Sequence, residues 1–408
     1  MNVLEPIPTR PGESIDEILL RHFAEICESL DLPPHMFKLA KDRYEKIGEL
    51  LCDPCCPLHR WKPQIYVQGS TRTETTVKPP SGDEFDIDLV CQLTVDRPMT
   101  ARELFASLKE AISQNGTYAK LLSVKNRCVR LTYANDFHMD ITPAVADLAF
   151  GPENIRVTDC PTDTMKASNP KDFASWFAQI SAVPPVIREA TRKAGRAEVY
   201  LNASAGVEPV SDPKASRPIL NRIVQIFKRH RDIAFEGQEK NAPISAIITT
   251  TSANSYQRLA TTGHESLYDL IIAIAQDLPN SLGPSTISNG HLIHTVPNPA
   301  NREENFADKW LQKPERQAAF FDWQHQLVEY LVQLRTSVDQ GEDVLLCKLS
   351  DGFGKKLVTQ LEVTRGRVLK HAAATAKIGI GASGLILPAA HAVTAIRPQT
   401  FHGQPHCA

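Results

Sequence analysis

Apolar residues recur at helical spacing in "IDEILLRHFAEIC", Ile15 to Cys27, and again from Met36 to Leu51, which predicts an opening pair of helices. The period then shortens to two. After a Pro-rich turn, "QIYVQG" reads as a short strand and "FDIDLVCQL" as a longer one, with Phe85, Ile87, Leu89, Cys91 and Leu93 on one face. Alternation sends Asp86 and Asp88 together to the opposite face, where like charges repel. A helix follows in "TARELFASLKEAI", then strands in "LLSVK" and "RCVRLTYA", bounded by turn residues at Asn126 and Asn135-Asp136. In "FHMDITPAV" Phe137, Met139 and Ile141 alternate with His138, Asp140 and Thr142, so a third carboxylate stands on the polar face of a further strand.

From about Ser216 the pattern turns helical. "SRPILNRIVQIFKRHRD" has Ser216 as a cap, Pro218 in the first turn, and apolar residues at 219, 220, 223, 224 and 227. Further helices are predicted from near Pro243, in "ESLYDLIIAIAQDL", from Arg316 to Val338 and from Lys355 to Lys377. The residues after that, rich in Ala, Gly, Pro and His, read as a flexible tail. This division gives a first lobe over 1–210 that includes the opening helices, a helical lobe over 211–376, and a tail over 377–408.

Composition narrows the class only a little. A chain of 408 residues with 42% hydrophobic content can bury a substantial core, as a soluble globular protein does. Its 45 Lys and Arg against 47 Asp and Glu give no global positive field, so nothing marks a general nucleic-acid binder. The start, "MNVLEPIPTRPGES", lacks the pattern of a signal peptide, and no window is long and apolar enough for a membrane span; the cytoplasm is the expected compartment. Nine cysteines, an odd number spread along the chain, do not read as a disulfide framework. Cys52, Cys55, Cys56 and His59 in "CDPCCPLH" have ligand types suited to zinc, but a second, distant ligand pair is missing, which favours small buried thiols in a Pro-rich turn; no metal ligand is assigned there.

The chemistry concentrates on the polar strand faces. Nucleotidyl transfer builds charge on both entering and leaving oxygens, and two divalent ions bridged by shared carboxylates neutralise it. Magnesium takes hard oxygen ligands, which Asp86, Asp88 and Asp140 supply. The tight turn at Gly69-Ser70 offers backbone N–H groups and a hydroxyl to triphosphate oxygens. A calcium-binding EF-hand loop is excluded, because Asp86-Ile87-Asp88 runs straight into Leu89-Val90 without the required glycine and terminal glutamate. "GIGASG", Gly379 to Gly384, matches a dinucleotide-binding pattern in letters but follows an Ala-rich helical stretch in place of a strand.

Taken in order, "QGSTRTETTVKP", "GDEFDIDLV", "FHMDITPAV", "IVQIFKRHRD", "ISAIITT" and "VPNPANREENFADKW" resemble the cGAS and DncV-like nucleotidyltransferases, bacterial cyclic oligonucleotide synthases of antiphage (CBASS) defence within the polymerase-beta-like superfamily. The resemblance covers roughly residues 15 to 340 and implies an α+β, bilobed fold with a mixed sheet in one lobe, helices in the other and the active site in the cleft between. It implies that Gly69 and Ser70 bind the triphosphate, that Asp86 and Asp88 ligate both of two Mg2+ ions (Mn2+ being an alternative), and that Asp140 ligates the catalytic ion and helps activate the ribose hydroxyl. Lys228 falls where such enzymes place a lysine on the phosphates, and Ser245 where a serine opens the next helix; the interval between them, with "EGQEKNAP", is longer than the resemblance leads one to expect. Arg229 and Arg231 beside Lys228 read as a solvated helix face, and His138 as a structural side chain.

The implied activity is synthesis of a cyclic dinucleotide from ATP and GTP, with cyclic GMP-AMP the expected product and a cyclic-nucleotide-activated effector downstream. A cyclic trinucleotide or a linear oligonucleotide from the same scaffold, and a catalytically dead nucleotide-binding scaffold, are the alternatives; the intact carboxylate trio argues against the last, and the missing basic groove against long products. The cysteine cluster lies before the Gly-Ser turn, away from the zinc insertion of the animal DNA-sensing relatives, so no nucleic-acid activator is expected. Some members are joined through their C-terminal residue to other proteins by a ubiquitin-transferase-like partner; "PQTFHGQPHCA" suits such a role in its composition but ends in Ala408 where glycine is usual.

Overall fold

A computed structural model describes residues 13–80, 85–133, 137–188, 217–288 and 290–374, and the short segments 378–380, 386–388 and 394–395. Seven strands form one mixed sheet: β1 (Gln64–Val67), β2 (Phe85–Leu93), β3 (Leu122–Val124), β4 (Val129–Tyr133), β5 (Phe137–Ala146), β6 (Ile155–Asp159) and β7 (Thr164–Ser168). The order is β1-β2-β5-β4-β3, with β6 added to the far end of β5 and β7 beyond it. Within the sheet β2 and β5 run parallel, pairing Ile87 with Met139 and Asp88 with Asp140. The first helices are α1 (Ile15–Leu30), α2 (Pro34–Cys52), the helical turn α3 (Gly69–Arg72) and α4 (Ala101–Ser113); the apolar set on β2, Phe85 to Leu93, is buried with Val129, Leu131, Met139 and Ile141 against α2 and α4.

A second core is helical. After α5 (Gly116–Ala119) it joins α6 (Pro170–Ser181), α7 (Ile219–Ala234), α8 (Ser245–Leu259), α9 (Leu267–Asp277), α10 (Pro314–Ser337) and α11 (Glu342–Phe353), with Val358 of α12 (Lys355–Ala374). Chain order and core membership diverge here. Helices α1 and α6 precede residue 210, yet Leu19, Leu20, Phe23, Ile26, Phe177 and Ile180 are buried in the helical core. Phe23 meets the rings of Tyr268 and Phe353 at centroid distances of 5.7 and 5.6 Å, so the apolar stripe of α1 is satisfied by α9 and α11 in place of the sheet. In the segment read as a tail, 378–380, 386–388 and 394–395 pair as an antiparallel sheet, while "PQTFHGQPHCA" and the last four residues of "GIGASG" lie outside the described residues.

What fixes the lobes to each other is a ladder of side chains from α7 and the residue pair before it. Arg217 donates to the carbonyl of Glu74 at 2.7 Å, Asn221 to Thr73 at 3.1 Å, Gln225 to Thr76 at 2.8 Å, Lys228 to Thr75 at 3.3 Å and Arg229 to Lys78 at 3.1 Å. Steps of four residues from Arg217 through Asn221 and Gln225 to Arg229, with Lys228 beside them, keep these donors on one side, so carbonyls of a segment outside any strand are satisfied from α7 and the residue just before it. Gln225, fully buried, also donates to Asp31 at 2.8 Å. Removing its amide leaves a buried carbonyl and a carboxylate short of a donor, so Gln225→Ala is expected to cost about 1–3 kcal/mol in urea denaturation; an unchanged midpoint would contradict the ladder.

Candidate active site

Strand β1 leads into the turn that carries Gly69 and Ser70. Gln68 donates from its backbone to the carbonyl of Asp88 at 2.8 Å, which ties the turn to β2. Gly69 adopts φ +61°, and a Cβ there would stand 2.7 Å from Oδ2 of Asp88, so both backbone and space require glycine. The Thr73 hydroxyl closes the turn onto the Gly69 carbonyl at 3.2 Å and meets the Thr75 hydroxyl at 2.9 Å.

The parallel register sets Asp88 opposite Asp140, and Asp86 lies two residues along on the same face of β2. Burial, then the charges of Asp140 and Asp86, push the Asp88 carboxyl up to about 7. The arginine at position 130 was not singled out by the sequence pattern. It pairs across β4 and β5 with Asp140, donating from Nε to Oδ1 at 2.6 Å and from Nη2 to Oδ2 at 2.7 Å, and Nη2 also reaches Asp86 at 3.2 Å. Its hydrogen bonds to Asp140 hold the guanidinium firmly charged. Burial, and then Asp140, raise the neighbouring Cys128 thiol, keeping it neutral.

Lys228 is buried, and its ammonium donates to the Thr75 hydroxyl at 2.8 Å. Burial first, and then Arg231, pull this lysine down to about 7. Ser245 opens α8, where Arg231 donates to its hydroxyl at 3.3 Å; the longer interval is taken up between the two helices and leaves the serine at the cleft. A cavity of about 730 Å³ is walled by Gly69, Ser70, Asp86, Asp88, Lys228 and Ser245 together. Asp140 is not part of that wall; its carboxylate is engaged behind it by Arg130. Arg231 and Asp232 of α7, and Glu236 just after it, also border the space.

Among the described residues no three His, Cys, Asp or Glu side chains form a closed cation shell as they stand. At the cysteine cluster, the Cys52 thiol is spent on the Pro63 carbonyl at 3.4 Å and the His59 ring on the Cys52 carbonyl at 2.9 Å. At the aspartates, Arg130 sits on two of the three. The donors nevertheless suit a hard divalent cation: they are carboxylate oxygens, Asp88 is short of positive charge, and the missing Cβ of Gly69 leaves room beside Asp88 Oδ2.

Residues 19–180 match the family model described as the Second Messenger Oligonucleotide or Dinucleotide Synthetase domain. Over 383 residues the chain is 28% identical to a c-di-GMP synthase of Roseivirga ehrenbergii, covering 93% of this chain and 96% of that protein. It is 26% identical over 404 residues to the cyclic dinucleotide synthase CdnG of Bradyrhizobium diazoefficiens, covering 94% and 92% of the two chains. The chain thus carries a match to this synthetase domain over residues 19–180 and is similar along most of its length to cyclic dinucleotide synthases. The chain also shares its fold with the solved structure of Bradyrhizobium diazoefficiens CdnG in complex with GTP, at a TM-score of 0.65 and 23% identity over 86% of this chain and 99% of that one. The mixed sheet and helical lobe are those expected of a cyclic dinucleotide synthase fold. Among the described residues no helix is long and apolar enough to cross a membrane.

The shifted carboxyl has a pH signature. An aspartate raised in the folded state to about 7 contributes stability that is full below its ordinary value near 3.8 and is lost as pH climbs through about 7. Lys228, lowered to about 7, works from the other side: its contribution is full above 10.5 and is lost as pH falls toward 7. In EDTA, Asp88→Asn is therefore expected to gain thermal stability relative to wild type as pH rises from 4 to 7 and to hold that gain above it. A wild-type-minus-variant difference that stays flat across this range contradicts the electrostatic account.

Proposed function

We propose that the cleft joins two purine nucleoside triphosphates into a cyclic dinucleotide through two successive nucleotidyl transfers, each releasing pyrophosphate. The observation that carries this reading is the placement of Asp88, paired with Asp140 and flanked by Asp86, directly beside the Gly69-Ser70 turn. When bound, two Mg2+ ions, or Mn2+ in their place, would neutralise charge on the entering and leaving oxygens. Asp86 and Asp88 would hold both ions, and Asp140 would hold one of them and take up the proton of the attacking ribose hydroxyl. Gly69 and Ser70 would present N–H and hydroxyl donors to the triphosphate. Lys228 would turn from Thr75 to the phosphates, whose charge favours its protonated form, and the Ser245 hydroxyl at the start of α8 would contact the same group.

One reaction centre serves both transfers, so the linear intermediate must turn and offer its own hydroxyl. Intramolecular attack gains effective concentration over a third incoming nucleotide. The cavity, about 730 Å³, lies in the roughly 300–1,000 Å³ range of small-molecule sites, which suits a ring more than a growing strand. Cyclic di-GMP is the product that the Roseivirga ehrenbergii relative supports, and a ring of one adenine and one guanine is the other outcome within this reading. The product would act as a second messenger on a cyclic-nucleotide-activated effector in antiphage defence.

Incubation with Mg2+ and GTP alone, ATP alone, or both, followed by phosphatase digestion and mass analysis, tests this directly. A phosphatase-resistant cyclic dinucleotide is expected: from GTP alone if it is cyclic di-GMP, and only with both nucleotides if it is mixed. Asp86→Ala and Asp88→Ala should each lower turnover by a thousandfold or so while folding persists, since several kcal/mol of charge stabilisation are lost. A ladder of phosphatase-sensitive linear oligomers, or full turnover in both variants, contradicts the proposal.

A further inference from the structure

Arg130 is bound to two of the three aspartates, and no step above uses it. It sits on β4 directly across from Asp140, and its guanidinium spans two further strands: two hydrogen bonds of 2.6 and 2.7 Å to Asp140 on β5 and one of 3.2 Å to Asp86 on β2. A planar fork matched to a carboxylate in this bidentate way fixes direction as well as charge. Both oxygens of Asp140 are thereby taken, whereas Asp88 lies on the cavity wall. We propose that Arg130 is a positioning residue that stands in for divalent cations in the cation-free protein, holding Asp86 and Asp140 converged, and that it surrenders these bonds as cations load. This rests on the reading of the three aspartates as a cation site.

The geometry gives the exchange an order. The Asp86 side chain is 56% exposed and its bond to Arg130 is the longest of the three, so an arriving cation meets Asp86 and Asp88 first and displaces Nη2 from Asp86. The Asp140 contacts, at 14% exposure for the carboxylate, give way later. Arg130 itself is 21% exposed, which leaves the guanidinium a route toward water. A positive charge so close to the carboxylates weakens cation binding for as long as it stays, so its removal must raise cation affinity and lower stability without cations. A purely structural bolt would lower stability equally in both conditions.

The test measures Mn2+ binding to the nucleotide-free full chain by the EPR signal of free Mn2+, with thermal melting in EDTA and in Mn2+. For Arg130→Gln we expect Mn2+ binding about tenfold tighter than wild type, a lower melting temperature in EDTA, and recovery of most of that deficit in Mn2+. Arg130→Lys, which keeps the charge and loses the fork, folds where the glutamine variant fails and should show a smaller gain in affinity. Affinities equal to or weaker than wild type in the folded variants, or a melting deficit that Mn2+ leaves unchanged, overturn the exchange. Asp88→Asn separates the two ideas: if it loses Mn2+ while the Arg130 variants match wild type, the exchange alone is wrong, and if it binds Mn2+ as wild type does, the cation site itself is misplaced.

Discussion

Three carboxylates held on one face of two parallel strands repel one another, and the features of the cleft answer that repulsion. The parallel pairing of β2 with β5 leaves Asp88 no choice but to face Asp140, because the alternate residues on both strands are committed to a buried apolar core. A one-residue slip would bury the aspartates and expose Ile87 and Met139, which hydrophobic burial forbids. The cluster is therefore bound to the fold itself. Its electrostatic cost shows in the raised Asp88 carboxyl and is offset in the cation-free protein by the guanidinium of Arg130.

The phosphate side of the cleft depends on a different constraint. The Gly-Ser turn lies on the sheet lobe, while Lys228 and Ser245 lie on the helical one, so a triphosphate site needs the lobes in fixed relation. The hydrogen-bond ladder from α7 to residues 73–78 supplies it, and Lys228 is one of its rungs. The same buried lysine that would meet phosphate thus helps tie the two lobes together. An ammonium whose charge burial disfavours would gain from an anion placed beside it.

Much of this was legible in the chain because period two is a hard constraint. Alternation placed Asp86, Asp88 and Asp140 on polar faces, and the β2 and β5 burial follows that alternation at those positions. Arg130 was not legible: on "RCVRLTYA" it looks like any polar residue of a half-buried strand, and its role comes from the cross-strand register, which a single strand does not encode. Periodicity likewise shows that α1 has an apolar face without showing what covers it, so its place in the helical core was missed. The hairpin β6–β7 carries Arg156, Asp159 and Lys166 among its apolar positions and lacks a clean pattern, and α6 is a short helix starting at Pro170 whose burial is supplied largely by the distant helical core. Lys228 and Ser245 do reach the cleft, but Lys228 is engaged with Thr75, a contact made across the lobes and invisible to helix spacing.

The central claim is that Asp86, Asp88 and Asp140 share divalent cations that replace Arg130. Anomalous diffraction from crystals grown with Mn2+ and a non-reacting GTP analogue addresses it most directly. The account predicts anomalous peaks bridged by Asp86 and Asp88, with Asp140 on one of them, and the Arg130 guanidinium withdrawn from Asp86. Nucleotide bound in the cleft with no Mn2+ on these carboxylates, and Arg130 still bonded to Asp86 and Asp140, would contradict it.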